Sequence, residues 1–214
     1  MLPTFLREWW GIFLGVMMRR RVAVFIDYQN VVQTAREAFP RASAARPWTN
    51  IDPLALGELL VTRRVHEACE LTEVRVYRGR PNPSRQPTLA AANDAQADAW
   101  QRDSRVTVIR KMLRYPKGSP FQPPQEKGID VALAVDFVSL AHRRAFDVGI
   151  IASHDTDLMP AFEAVMQLRL AHVESAAWRG RNRLQFPGTQ LPWCHALDEA
   201  DFGEVHDRRD YLAH

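Results

Sequence analysis

Apolar positions fall in short, nearly continuous runs separated by longer amphipathic stretches. Val22–Asp27 is almost entirely apolar and rich in β-branched residues, so it predicts a buried strand. The same reading gives strands at Leu71–Tyr77, Val106–Leu113, Val148–Ala152 and Leu170–Ser175. Between them, helical patterning covers Val31–Phe39, Leu54–Glu70, Arg85–Arg102, Gly128–Arg144 and Asp157–Leu168. Asp52 and Pro53 supply an N-cap and a first-turn proline for the second of these helices. Pro40 to Pro53 and Tyr115 to Pro124 read as loops, as does Arg179 to Pro192 ahead of a short acidic tail. Continuous rather than alternating apolar strands, each followed by a helix, predict a mainly parallel sheet covered on both faces. The segments divide into an N-terminal apolar extension or helix (1–20), an α/β domain (21–178), and a C-terminal loop and acidic tail packed on it (179–214).

Several carboxylates stand where these strands end and helices begin. Asp27 closes the first strand, and Asp155 and Asp157 follow the fourth. Asp130 opens the long helix. In an open parallel sheet, sites form beyond the carboxyl ends of the strands. Each aspartate has a local alternative as a helix cap or first-turn acid. One helix has one N-cap, however, so Asp155 and Asp157 cannot both be explained that way. Repulsion among several such carboxylates is relieved by a cation. Asn30, Ser153 and Thr156 add oxygens that could support the cluster. Asp136 lies about 120° round the helix from Asp130 and roughly 9 Å along it. Set in an apolar stretch, it reads as a supporting residue or an arginine's partner. An all-oxygen set selects Mg²⁺ or Mn²⁺, ions that act on phosphate esters.

Composition changes this picture little. The 214 residues are 46% hydrophobic and 25% charged, with a net charge of +3 and a pI of about 9.1. This suits a folded chain with a sizeable core. Charge is unevenly placed. Arg75 to Arg85 holds four arginines and no acid, and Arg102 to Lys117 holds six basic residues against Asp103. Such clusters can draw a polyanion to one face. Arg78, Arg80, Arg110, Lys111, Arg114 and Lys127 are the candidates for a phosphate track. Tyr77, Trp100 and Tyr115 are candidates for base stacking, weighed against ordinary packing. Cys69 and Cys194 are too far apart for a zinc motif and point to a reducing compartment, the cytoplasm. The apolar run Trp9–Met18 is too short to span a bilayer. Three readings of it stay open: a helix docking on the domain, a protein partner or a second copy as a homodimer; an interfacial segment; or an upstream extension with the natural start at Met17 or Met18.

Three motifs together resemble the NYN family, the LabA-like branch of PIN-type ribonucleases. They are Val24-Phe25-Ile26-Asp27-Tyr28-Gln29-Asn30, Lys127 through Asp136, and Ser153-His154-Asp155-Thr156-Asp157-Leu158-Met159-Pro160. They occur in family order, and the similarity runs over about Arg21 to Ser175. The resemblance implies a PIN-like three-layer α/β/α fold and a Mg²⁺- or Mn²⁺-dependent ribonuclease acting on single-stranded or structured RNA. Asp27, Asp130, Asp155 and Asp157 would then be the catalytic, metal-binding residues. Asn30 would support the site, and Lys127 would face phosphate at its rim. Water would attack phosphorus in line, with no protein nucleophile. His154 stands where the family usually has glycine and Leu158 where it has phenylalanine. His154 beside the site is therefore expected to influence access or pH dependence. The competing functional class is a non-catalytic RNA-binding or regulatory module on the same fold.

Overall fold

The computed structural model describes residues 19–44, 50–116, 123–180 and 192–212. The Trp9–Met18 run, and with it the docking and homodimer readings, lies outside these residues. The strands are β1 (Arg20–Asp27), β2 (Asn50–Ile51), β3 (Cys69–Arg80), β4 (Val106–Met112), β5 (Val148–Ala152), β6 (His172–Trp178), β7 (Trp193–Leu197) and β8 (His206–Asp207). The helices are α1 (Tyr28–Ala38), α2 (Pro40–Ala44), α3 (Pro53–Thr62), α4 (Pro87–Trp100), α5 (Ile129–His142), α6 (Met159–Gln167) and α7 (Glu199–Glu204). Six strands form one sheet in the order β4-β3-β1-β5-β6-β7. Every pairing in it is parallel. β2 and β8 form a separate antiparallel pair.

Pleating divides the apolar residues of each strand between two cores. In β1, Val22, Val24 and Ile26 join Val74, Val76, Val148 and Ile150 on one face, beneath α1 and α3. Ala23 and Phe25 join Phe137, Phe146, Phe162 and Ile151 on the other, beneath α5 and α6. The predicted three-layer α/β/α architecture is the one observed. No helix among the described residues is long and apolar enough to cross a membrane.

Several elements differ from expectation, among them the stretch Pro40 to Pro53, expected as a loop, which contains α2 and β2. The helix after Pro53 stops at Thr62 rather than Glu70. Residues 69–80 are recruited into the sheet instead, paired with β1 from Cys69 and with β4 as far as Arg80. Arg78 and Arg80 therefore lie within a strand. The Asp52 cap forms as expected, accepting from the N–H groups of Leu54 and Ala55. The largest correction concerns residues 192–212, expected as a short acidic tail, which carry two strands and a helix, whereas the loop expected over 179–192 lies almost wholly outside the described residues. β7 completes the sheet, and α7 opens with a capping box between Asp198 and Asp201. Phe202 is fully buried against Phe39 and Trp178.

The aromatic core sets a steric limit at Gly149 in β5. A Cβ there would lie 2.6 Å from Phe137 Cε2 and 2.7 Å from Phe146 Cε2, both in fully buried rings. Those rings are locked around Phe25, with centroids 5.0 and 5.5 Å from it. Gly149→Ala is expected to lower stability by about 1–3 kcal/mol through overpacking. A reduced denaturant midpoint with an unchanged slope is the expected result. An unchanged midpoint would show that the ring cluster can shift without loss.

Candidate active site

β1 is followed through α3 by β3 on one side, whereas β5 pairs on its other side. The order reverses between β1 and β5, which is where open α/β sheets bind ligands. Asp27 ends β1 and caps α1 at this edge. Its carboxylate accepts the Asn30 N–H at 3.4 Å and the Ser153 hydroxyl at 3.1 Å. Only 7% of the residue is exposed. Burial pushes its carboxyl up to about 6. The two hydrogen bonds oppose that rise, while the charges of Glu126 and Asp155 add to it.

The loop after β5 is tied to the loop after β1 by a short network. The Asn30 side-chain oxygen accepts the His154 N–H at 2.9 Å. Ser153 Oγ, while donating to Asp27, accepts the Asp155 N–H at 3.0 Å. Asp155 caps the 3-10 turn Thr156–Leu158 through the Asp157 N–H at 2.9 Å. Asn30 and Ser153 thus hold two acidic loops in fixed relation.

The third acidic segment arrives at the start of α5. Gly128 adopts a left-handed φ of 71° and turns the chain into the helix. A cleft of about 570 Å³ is lined by Asp27, Asp155 and the run Glu126-Lys127-Gly128-Ile129-Asp130-Val131. Asp27, Asp130 and Asp155, which the sequence reading singled out, therefore meet on one cleft. Asp157 does not line it: Asp157 and Thr156 are exposed in the 3-10 turn.

Glu126 was missed as a site residue, although it is the fourth carboxylate of the lining. It accepts the Gly79 N–H. Burial raises its carboxyl, the Gly79 bond and Arg78 counter the rise, and Asp130 reinforces it. The available signal was Gly79 itself, since glycine inside a strand marks close approach of another group.

Other assignments are corrected by the packing. Arg78 is no phosphate contact, because its guanidinium lies 4.7 Å from the Tyr28 ring and 5.4 Å from the Trp100 ring. It also donates to Gln96, and burial lowers its pKa. Arg80 and Arg110 both pair with Asp94 on α4. Tyr77 and Trp100 are buried and present no face to a base. The Trp100 indole donates to Asp207 at 3.0 Å. Asp136 is held by Arg75 at 2.8 Å and the Tyr77 hydroxyl at 2.9 Å. The His154 ring accepts the Trp178 N–H at 3.3 Å and is absent from the cleft lining.

Lys111, Arg114 and Lys127 are exposed, and none has a carboxylate partner among the described residues. Lys127 lines the cleft, and the Lys111 amine lies 3.4 Å from where a Gly128 Cβ would stand. Tyr115 is half-buried beneath Arg85, whose guanidinium is 4.8 Å from its ring centroid.

The fit to a divalent cation rests on the donors. Four carboxylates line one cleft, and the most buried of them, Asp27, is held in an environment that disfavours its charge. That is the chemistry a hard cation corrects. Among the described residues, no three acidic, histidine or cysteine side chains are gathered tightly enough to grip an ion as they stand.

A solved structure of a protein of unknown function from Vibrio parahaemolyticus is 19% identical, with a TM-score of 0.47, covering 74% of this chain and 81% of that one. No curated protein matches significantly. The family model for the NYN domain matches residues 21–183. With the three motifs and strands β3 to β6 of the parallel sheet inside that span, the chain belongs to the NYN domain family, in the PIN-like ribonuclease superfamily.

Proposed function

We propose that this protein is a ribonuclease that hydrolyses RNA phosphodiester bonds with the help of Mg²⁺ or Mn²⁺. The observation that supports this best is the meeting of Asp27, Asp130 and Asp155 on one cleft at the β1/β5 switch point, from three separate segments. Asp27, Asp130 and Asp155 would hold the cation, which when bound neutralises phosphate charge and makes water a better nucleophile. Asn30 and Ser153 orient the loops that carry Asp27 and Asp155. Lys127 at the rim, with Lys111 and Arg114 near β4, offers charge to successive phosphates of the strand. Tyr115 beside Arg85 is the remaining aromatic for base stacking.

Labelled single-stranded and structured RNA incubated with Mn²⁺, with Mg²⁺ or with EDTA tests this. Cleavage is expected with either ion, not with EDTA, and not by Asp130→Asn. Equal cleavage by Asp130→Asn and wild type would remove the proposed site. The loosely gathered acids favour one second reading, an RNA-binding module without catalysis. RNA binding with no cleavage at any ion concentration would establish it. In either case, Lys127→Ala is expected to reduce the salt dependence of RNA binding by about one phosphate contact. An unchanged slope would take Lys127 off the track.

A further inference from the structure

We propose that Glu126, rather than Asp157, is the fourth carboxylate of the cation site. The inference rests on reading the cleft as a cation site, and it goes beyond that reading in assigning a donor. Three constraints fix Glu126 in place. The residue before it, Gln125, forms a two-way backbone bridge with Arg114, each N–H donating to the other's carbonyl at 2.9 Å. The Glu126 carboxylate accepts the Gly79 N–H from β3. Gly79 also makes room for it: a Cβ there would stand 2.9 Å from Glu126 Oε1, 3.0 Å from its Cγ and 2.2 Å from Leu113 Cδ2. An alanine would therefore collide with both the carboxylate and the leucine behind it.

Such fixing is unlike that of a solvated surface glutamate. A strand glycine, a backbone donor and a bridge all bring one acid to the wall of the cleft lined by Asp27, Asp130 and Asp155. A surface acid gains little from being ordered, and ordering a glutamate side chain opposes folding. The Glu126 oxygen that Gly79 does not occupy has no hydrogen-bond donor among the described residues. Asp157 offers the contrast. It is exposed, lies within a 3-10 turn, and contributes its backbone N–H to Asp155. Glu126 and Asp130 are four residues apart, at the two ends of the Gly128 turn. One segment thus supplies two donors, and the loops after β1 and β5 supply the others.

Calorimetric titration of the full chain with Mn²⁺ tests the assignment, without RNA and without any assay of activity. Glu126→Gln keeps an oxygen for the Gly79 N–H but removes the charge, and is expected to weaken Mn²⁺ binding by about tenfold or more. Asp157→Asn is expected to bind within about twofold of wild type, far short of a lost ligand. Gly79→Ala leaves every carboxylate in the sequence but displaces Glu126, and should weaken binding in the same direction as Glu126→Gln. Thermal melts of each variant without metal separate lost binding from lost fold. If Glu126→Gln binds like wild type while Asp130→Asn does not, the inference fails and the cation site stands. If Asp157→Asn loses as much as Glu126→Gln, Asp157 regains its place and the substitution of one donor for the other is overturned. If wild type takes up no Mn²⁺, both the site and the role of Glu126 fall together.

Discussion

Asp27→Asn is expected to abolish RNA cleavage while making the metal-free protein more stable at neutral pH. The two effects have one cause. Asp27 is 7% exposed, and burial pushes its carboxyl up to about 6, above the unfolded value near 3.9. Between roughly pH 4 and pH 6 the native state therefore holds more protons than the unfolded state. Stability falls as pH rises through that window, and the full penalty, on the order of 3 kcal/mol, is present above it. Asparagine removes the charge and keeps one acceptor oxygen for the Asn30 N–H, while its amide N–H can donate to Ser153 Oγ where the carboxylate accepted from that hydroxyl. In EDTA at pH 7.5, the urea midpoint of the variant should exceed that of wild type. Mn²⁺ should close the gap by stabilising wild type alone, since a ligand of the native state raises stability by mass action. If Asp27 holds the cation as proposed, its loss should lower the cleavage rate by about 100-fold or more, the range expected when several kcal/mol of charge stabilisation disappear. A variant that cleaves normally would exclude Asp27 from the chemistry. A lower midpoint would mean that the hydrogen bonds of the charged form outweigh its burial.

The same residue shows what is legible in a sequence. Asp27 stood out because a carboxylate ends an apolar run, and the strand-helix alternation placed it at the edge where Asp155 also lies. Local rules were enough there, as they were for the Asp52-Pro53 start of α3. They failed where a side chain is claimed by something distant in the chain. Arg78 and Arg80 read as free positive charge, yet one is enclosed by Tyr28, Trp100 and Gln96 and the other is neutralised by Asp94 on α4. Tyr77 and Trp100 read as aromatic surface, but their hydroxyl and indole groups meet Asp136 and Asp207, 59 and 107 residues away. β7 was invisible for a related reason. Trp193-Cys194-His195-Ala196-Leu197 is too mixed in polarity to signal a strand by itself, and it becomes one by pairing with β6. Glu126 needed the path of β3 before its carboxylate could be placed against Gly79.

Arg64→Met should cost about 3–5 kcal/mol at pH 8, because it strands a buried carboxylate. Glu174 points from β6 into a site where its side chain is 4% exposed, with Arg64 at 9% and His195 at 2%. Arg64 pairs with Glu174 and also donates to Glu67 at 3.2 Å and Cys69 Sγ at 3.3 Å. His195 Nε2 lies 2.8 Å from the other Glu174 oxygen, and a neutral imidazole satisfies that contact by donating its N–H. Burial, together with the charges of Arg64 and Arg63, holds His195 down to about 4. Because the unfolded histidine titrates near 6.5, the unfolded state binds more protons between roughly pH 6.5 and pH 4. Wild-type stability is therefore expected to fall as pH drops through that window. In Arg64→Met one of the charges restraining His195 is gone, and Glu174 keeps only the two imidazoles of His195 and of His172, whose Nε2 lies 3.1 Å from the oxygen that Arg64 held. An imidazole beside the carboxylate, His195 or His172, then accepts a proton at higher pH and supplies the missing cation. The deficit of the variant should accordingly be smaller at pH 6 than at pH 8, where no proton is available to repair the pair. Urea midpoints at the two pH values decide the matter. A deficit that grows on acidification would show that neither imidazole takes up a proton for Glu174. Replacing both partners, Arg64→Met with Glu174→Met, should recover much of the loss, since the penalty belongs to the unpaired charge and not to the missing contact.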